Sequence, residues 1–543
     1  SIDTFDGVNG MAIMTDRGTT TIDNKGLITG LLSLGGHDNV FNNLSGGAML
    51  AGSLVDLGPG GVFNNSGLLI PGGGDWSQST TLRGDLTQTS GGKIQLAMRP
   101  DTSDVAKLNV QGDVTMTGRL GYTFDPTKTV VQGMFYRSGA ITATGTMNTS
   151  GLTIDQTALV RHTLVRNGNS IDINSTTNFS PAGLSANGAR FGQALAFVQA
   201  RGSSPLMGTV VGSLITVPQV GTVDRIYSVL AGDAVSSVVQ TSLQTAQGGA
   251  ASFAEQADRW RVSGRRDKPW RSWIAPYGGF GNLAANSGEM SADFVGGTAG
   301  VDVQVSPDTL IGVGGLYGQN QISVATASLF ANQYVGGGGV YGMTRFGQAY
   351  LSGSTYIGSD SAYLTRSFAG FGTATSPFTG TTIAGRVELG YTIPFDGFKL
   401  TPFGAFEPAS RWQNGVTEQV VFAGLYEPGV TYHAQTNRSL PFIGGAQLDA
   451  DLKLPGGSVI ATFLRAGFAH EFNTSRALVK SLSYYPDGQF LSGGNYAVPN
   501  AAVIRAGAQH KLSDNISLFA YVNSILSDRY QTLGGHGGLM VHW

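Results

Sequence analysis

The sequence predicts a mainly β protein: a parallel β-solenoid fragment, a short helical linker, and an antiparallel transmembrane β-barrel of about twelve strands. Three observations lead there. Charged residues make up only 13% of the 543, while 81 are glycine; soluble domains carry about 25% and about 7% respectively. Lipid-facing strands shed charge, and stacked coils place glycine at their corners. Second, a Phe-Asn-Asn triplet recurs in the N-terminal region about one coil apart. Third, from about residue 270 onward the chain alternates apolar and polar residues in a regular series of strand-length segments.

Residues 1–126 are assigned to the solenoid. His37-Asp38-Asn39-Val40-Phe41-Asn42-Asn43-Leu44 is echoed by Gly60-Gly61-Val62-Phe63-Asn64-Asn65. Val and Phe turn between coils, Asn tolerates left-handed corners and forms ladders, and Gly closes turns. Period-two alternation is clear at Ile94 and Leu96, and again at Leu108 and Val110. Arg83-Gly84-Asp85 is read as a rung-corner turn; the alternative is an adhesion motif for an integrin-type receptor. The chain starts inside a polar, Gly-rich pattern with no signal peptide, so we expect a segment cut from a longer precursor.

Residues 127–245 are expected to be a β-rich and helical junction. Phe191, Leu195 and Val198 share a helical face, as do Val223, Ile226, Tyr227 and Leu230, and then Val235, Val238, Val239 and Leu243. Residues 246–268 follow as a helix and linker, with Ser252 as its cap, Glu255 at the capping-box position, and an end at Val262-Ser263-Gly264.

Residues 269–543 read as the barrel. Val295, Gly297, Ala299, Val301 and Val303 oppose Thr298, Gly300, Asp302 and Gln304; Leu448, Ala450 and Leu452 oppose Gln447, Asp449 and Asp451. Leu464, Ala466 and Phe468 oppose Arg465 and Glu471, and Ile516, Leu518, Ala520 and Val522 oppose Ser517 and Asn523. Charge on a lipid face costs about 2–4 kcal/mol at mid-membrane for Arg or Lys, so the charged face is the watery one. Asp302, Arg386, Glu388, Asp449, Asp451, Arg465, Glu471 and Arg505 are therefore predicted to line the lumen. Tight turns at 306–308, 345–347, 395–397, 455–457 and 513–515 alternate with longer loops near 283–289, 319–330, 360–376, 412–432 and 472–495. No apolar run reaches the roughly 18–20 residues of a membrane helix, so spanning requires a closed barrel.

These features together resemble the C-terminal part of the type V autotransporter family. The rungs over 85–125, the step Leu230-Ala231-Gly232-Asp233, the helix ending near an Arg, and the first strand with Trp273 and Gly278 carry the likeness. The resemblance implies twelve strands, a pore helix bearing Phe253, Glu255, Arg259, Trp260 and Arg261, and export of the chain's own passenger to the cell surface. Arg259 and Arg261 would meet lumen acids, in pairs of modest energy if the pore is wet. Leu539, Val541 and Trp543 at the end of the chain resemble the signal read by the outer-membrane barrel assembly machinery. Outer-membrane lipid, that machinery, periplasmic chaperones and a host or neighbouring-cell surface ligand are the implied partners. The barrel is expected in a Gram-negative outer membrane with the passenger at the cell surface.

One branch of the family cuts itself at an Asn-Asn pair in the pore helix. None lies between 245 and 265, so the passenger is expected to remain attached. No cysteine is present, and His37 and His162, the only histidines ahead of the barrel, lack metal-ligand spacing. No G-x-S-x-G elbow appears. We expect no enzyme, no metal and no cofactor in these residues. Lys and Arg do not cluster, so nucleic acid is not an expected partner. An adhesin or structural coat is the expected passenger. The alternatives are a channel or porin with an extra N-terminal domain, which would conduct without removal of a plug, or a barrel displaying an enzyme encoded outside this chain.

Overall fold

The computed structural model describes all residues except 264–267, 286–287, 456 and 495. The chain divides into two units, Ser1–Asp224 and Arg225–Trp543.

The first unit is built on parallel coils. Thr21–Asn24, Val40–Asn43, Val62–Asn65, Asp85–Gln88, Val114–Met116 and Met147–Asn148 stack in register as one face. The register puts Ile22, Phe41, Phe63, Leu86, Val114 and Met147 in one inward column. Phe41 and Phe63 stack at 4.8 Å between ring centroids, which is the strand spacing of a sheet. Beside this column runs a buried amide ladder. Asn24 Nδ2 donates to Asn43 Oδ1 at 2.9 Å, Asn43 Nδ2 to Asn65 Oδ1 at 2.8 Å, and Asn65 Nδ2 to Gln88 Oε1 at 2.9 Å. Each amide satisfies the next, so polar groups enter the core without loss of hydrogen bonds.

The coils run further than the expected boundary at residue 126. Leu152–Ile154 still pairs in parallel with Gly118–Phe124. The sheet then ends in antiparallel pairing: Gly133–Ala143 bonds to Ser170–Thr177, which bonds to Val160–Asn167. This hairpin covers the edge that stacking would leave open. Two helices complete the unit, α1 (Ala186–Gln199) and α2 (Pro205–Leu214). Ser185 caps α1 by accepting from Gly188 N–H, and Ser204 caps α2 by accepting from Met207 N–H, with proline at the first helical position. Phe191, Leu195 and Val198 lie buried on one face of α1, as their spacing predicts.

A third helix, α3 (Val220–Leu230), crosses the boundary between the units. Its end is set by Gly232, which holds the left-handed conformation at φ 64°, as a helix terminus favours. The next helix, α4 (Ser236–Ser263), is 28 residues long. It joins the Val235–Leu243 pattern to the expected pore helix, which therefore starts ten residues earlier than residue 246. Ser252 lies in mid-helix and caps nothing; it meets Thr298 Oγ1 at 3.3 Å. Gly248-Gly249 reads as a breaker in sequence, but a Cβ on Gly249 would stand 3.1 Å from Leu316 and Tyr356. The glycine lets the helix lie against the wall, and that contact outweighs a propensity cost of about 1 kcal/mol. The expected stop at Gly264 lies outside the described residues.

Residues 270–542 form a closed antiparallel barrel of twelve strands. The first strand, Trp270–Ala285, pairs with the last, Tyr530–His542. Trp543 secures this seam: its ring stacks on Trp270 at 5.5 Å, and its Nε1 donates to Ser272 Oγ at 3.0 Å. The alternation follows the predicted faces. Val295 and Phe468 are exposed outward, while Thr298, Asp302, Gln447 and Asp449 are buried inward.

The long loops expected near 319–330, 360–376 and 412–432 are corrected by the structure. Those residues are mostly strand: Leu329–Phe346, Ala349–Ser367 and Thr373–Tyr391 reach 18 or 19 residues. At about 3.4 Å per residue such strands are roughly 60 Å long, far beyond an apolar band of about 25 Å. The hairpins therefore continue past the membrane as paired ribbons, whose backbone ladder runs on to the Leu329–Arg366 and Ser367–Thr373 pairs. Residues 472–495 are closer to a loop, with a short pair of Leu478–Leu482 and Phe490–Ser492.

Candidate functional site

Helix α4 runs along the inside of the barrel wall, touching Gly288–Ser306 through Thr373–Tyr391 and the strand Ala409–Gln413. At about 1.5 Å per residue its length is roughly 42 Å, enough to thread a membrane. It is not a membrane helix itself: no described helix is long and apolar enough to cross a bilayer. Its first half carries Val238, Val239 and Leu243, all buried. Its second half carries the residues singled out in the sequence.

Phe253 is fully buried. Its ring lies 6.3 Å from Trp273 and 6.2 Å from Tyr341, over a floor of glycine, since a Cβ on Gly314 would fall 2.7 Å from its Cε1. Glu255 pairs with Arg505. Arg259 meets an aromatic surface, 4.0 Å above Phe519 and 5.3 Å from Tyr521. Trp260 donates to Gln304 Oε1 at 3.3 Å beneath the Arg345 guanidinium. Arg261 donates to Asp258 at 2.6 Å within its own helix and to Asp449, Thr392 and Thr401 on the wall at 3.2, 3.0 and 3.3 Å.

The predicted lumen residues divide into groups. Asp302 accepts from Arg271 at 2.6 Å and from Tyr341 at 2.8 Å; Arg271 also donates to the Gln256 carbonyl of α4 at 2.8 Å. Glu388 pairs with Arg386 and, at 2.7 Å, with Arg465, while Arg386 also meets Glu407. Glu471 accepts from Arg476 at 3.3 Å and from the backbone N–H groups of Leu440 and Asn473 at 2.7 and 2.9 Å. Asp451 shares the face of Asp449 but is exposed near the strand end. These pairs are not the water-washed contacts expected of an open pore. Asp302 and Arg271 are 1% and 2% exposed, because the helix fills the space water would occupy. A cavity of about 310 Å3 remains beside α4, bordered by Glu255, Arg386, Arg465, Arg505 and Tyr521.

Sequence reasoning missed Arg271, Tyr341, Asp360, Arg366, Arg411, Glu418 and Lys480. Arg411 donates to Asp360 at 3.0 and 2.7 Å, and Arg366 pairs with Glu418. Strand parity was the available signal: Asp360 and Arg366 share a face with Tyr350 and Tyr356, all buried in Ala349–Ser367. The remaining predicted sites lie elsewhere. Leu539, Val541 and Trp543 face outward, opposite buried Met540. Arg83 pairs with Asp56 at 2.9 Å, Gly84 turns the corner at φ 126°, and Asp85 accepts from Asp113 N–H at 2.8 Å.

The family model of the autotransporter beta-domain matches residues 272–523. No curated protein matches the chain. Among solved structures, the translocator domain of autotransporter NalP from Neisseria meningitidis is similar at 16% identity over 58% of this chain and 99% of that one, with a TM-score of 0.45. The transport unit of the autotransporter AIDA-I from Escherichia coli is similar at 14% identity over 55% and 98%, with a TM-score of 0.37. The beta domain of the Bordetella autotransporter BrkA is similar at 14% identity over 51% and 100%, with a TM-score of 0.38. The C-terminal barrel of this chain is an autotransporter β-domain, an outer-membrane translocator of type V secretion.

Proposed function

We propose that the chain displays a passenger that stays attached to its barrel and serves as an adhesin or a structural coat of the cell. The observation that carries this reading is the parallel coil closed at its C-terminal end by an antiparallel hairpin. A capped coil gains stability rung by rung from one end, so folding can proceed outward as the chain emerges and oppose its return. Retention is supported by the lack, within 245–265, of the Asn-Asn pair at which one branch of the family cuts itself. In this reading residues 1–543 bring no catalysis of their own. Leu539, Val541 and Trp543 address the barrel assembly machinery, periplasmic chaperones escort the unfolded chain, and a host or neighbouring-cell ligand meets the coil. In this reading Arg83-Gly84-Asp85 serves as a corner of that coil, which the Arg83–Asp56 pair and the bond from Asp113 N–H to Asp85 support.

Protease shaving of intact cells, with tags at residue 1 and within 472–495, tests the proposal. Loss of the residue-1 tag from whole cells, with the barrel still membrane-bound and heat-modifiable, is the expected result. A residue-1 tag protected until the outer membrane is opened, with the loop tag accessible, would instead place the coil in the periplasm and favour a channel with a periplasmic domain.

A further inference from the structure

The end of α3 is held by two buried cations of the barrel wall. A helix leaves its last four carbonyls without partners inside the helix, and that end carries a partial negative charge. Arg366 donates to the carbonyls of Val229 and Leu230 at 2.7 and 3.4 Å. Lys480 donates to the next two, Ala231 and Gly232, at 2.9 and 3.1 Å. It also donates to Ser492 Oγ at 3.0 Å and Asp233 Oδ1 at 3.4 Å and lies 5.7 Å from the Tyr432 ring centre. Both cations are shut away from water, Lys480 completely.

The wall prepares this arrangement. Glu418 fixes Arg366, and Glu418 is itself fixed by Tyr432 Oη at 2.9 Å and Val430 N–H at 3.2 Å. Gly232 completes the fit twice over. It supplies φ 64°, and a Cβ there would lie 2.2 Å from Tyr432 Oη. Gly494 N–H then donates to the Asp233 carbonyl at 3.0 Å, and Ser236 Oγ to the same oxygen at 2.8 Å.

We infer that Arg366 and Lys480 are positioning residues for export: they stop the chain at this register and hold it there. An extended segment in transit points successive carbonyls to opposite sides, so it cannot offer four to one pair of cations. Only a formed helix end followed by a glycine turn can do so. The clamp thus engages when α3 has folded beyond α4, and the lumen is then left occupied by α4. This inference rests on export by the barrel and is independent of what the passenger does.

Hydrogen exchange on the full chain, folded in detergent, tests it with Lys480→Met and Gly232→Ala. The first removes the donor from the wall and the second spoils the receiving turn. Each is expected to raise exchange over residues 226–240 at least tenfold while Ile516–Leu526 keeps its protection. The double variant should exceed the larger single effect by less than about twofold, because both changes break one contact. Unchanged exchange over 226–240 in a heat-modifiable Lys480→Met barrel would overturn the inference, and so would multiplying effects in the double variant. Should Lys480→Met fail to form a heat-modifiable barrel, Gly232→Ala decides alone: tenfold release supports the clamp, and unchanged protection refutes it.

Discussion

Phe253→Ala is the most direct perturbation of the plug. The side chain is fully buried between Trp273, Tyr341 and the Gly314 floor. Removing a buried Phe costs about 3–5 kcal/mol, part transfer and part cavity. Trp273 is held by Tyr341 Oη at 2.7 Å and Tyr341 by Asp302, so neither aromatic is free to collapse into the gap and the upper part of that range applies. With 1.4 kcal/mol per factor of ten, the ratio of docked to undocked α4 should fall by about a thousandfold. Single-channel recording in planar bilayers reads this as more frequent opening, and exchange over residues 245–260 reads it as lost protection. Gly314→Ala supplies the counterpart. In the native background its Cβ strikes the Phe253 ring at 2.7 Å; with Phe253 already Ala only the looser approach to Trp273 at 3.2 Å remains. Its cost should therefore be at least 1 kcal/mol smaller in the second background. Equal cost in both, or less than a threefold change in α4 protection for Phe253→Ala, would refute the packing argument.

Arg271→Met should destabilise the barrel by about 3–5 kcal/mol by stranding the Asp302 carboxylate in a dry site; Arg271→Met with Asp302→Asn should recover most of it, read from the urea midpoint of the heat-modifiable band, and a single-variant loss below about 1 kcal/mol would contradict the burial of the pair. His162 in the capping hairpin is 5% exposed, receives or gives a hydrogen bond at Ser175 Oγ (2.7 Å) and packs on Tyr122. Burial, helped by Arg137, pushes its pKa down from 6.5 to about 4. The folded coil thus prefers the neutral ring: its contribution is whole above pH 6.5, declines between 6.5 and 4, and is gone below, a loss of roughly 3 kcal/mol. Proteolysis of the coil on whole cells should accelerate across that window in the native chain and stay flat in His162→Phe.

Much of this architecture is a local property of the chain. Val295 and Phe468 face lipid, and Asp302 and Asp449 face inward, because a period of two sorts side chains by solvent and lipid excludes charge; that sorting needs no knowledge of partners. The Phe-Asn-Asn repeat likewise set both the column of Phe41 and Phe63 and the amide ladder beside it, since equal coils stack equal residues. Pairing was decided only by closure. Arg465 and Glu388 are 77 residues apart, and Lys480 reaches a carbonyl 249 residues away; strand parity says that they look inward but not what they meet there. The extent of α4 was settled at the same level. Gly248-Gly249 and Ser252 signal a break and a new cap to any local reading, yet Gly249 lies so close to the wall that a Cβ would press on Leu316 and Tyr356 at 3.1 Å. Packing outside the helix, absent from its own sequence, carries it through.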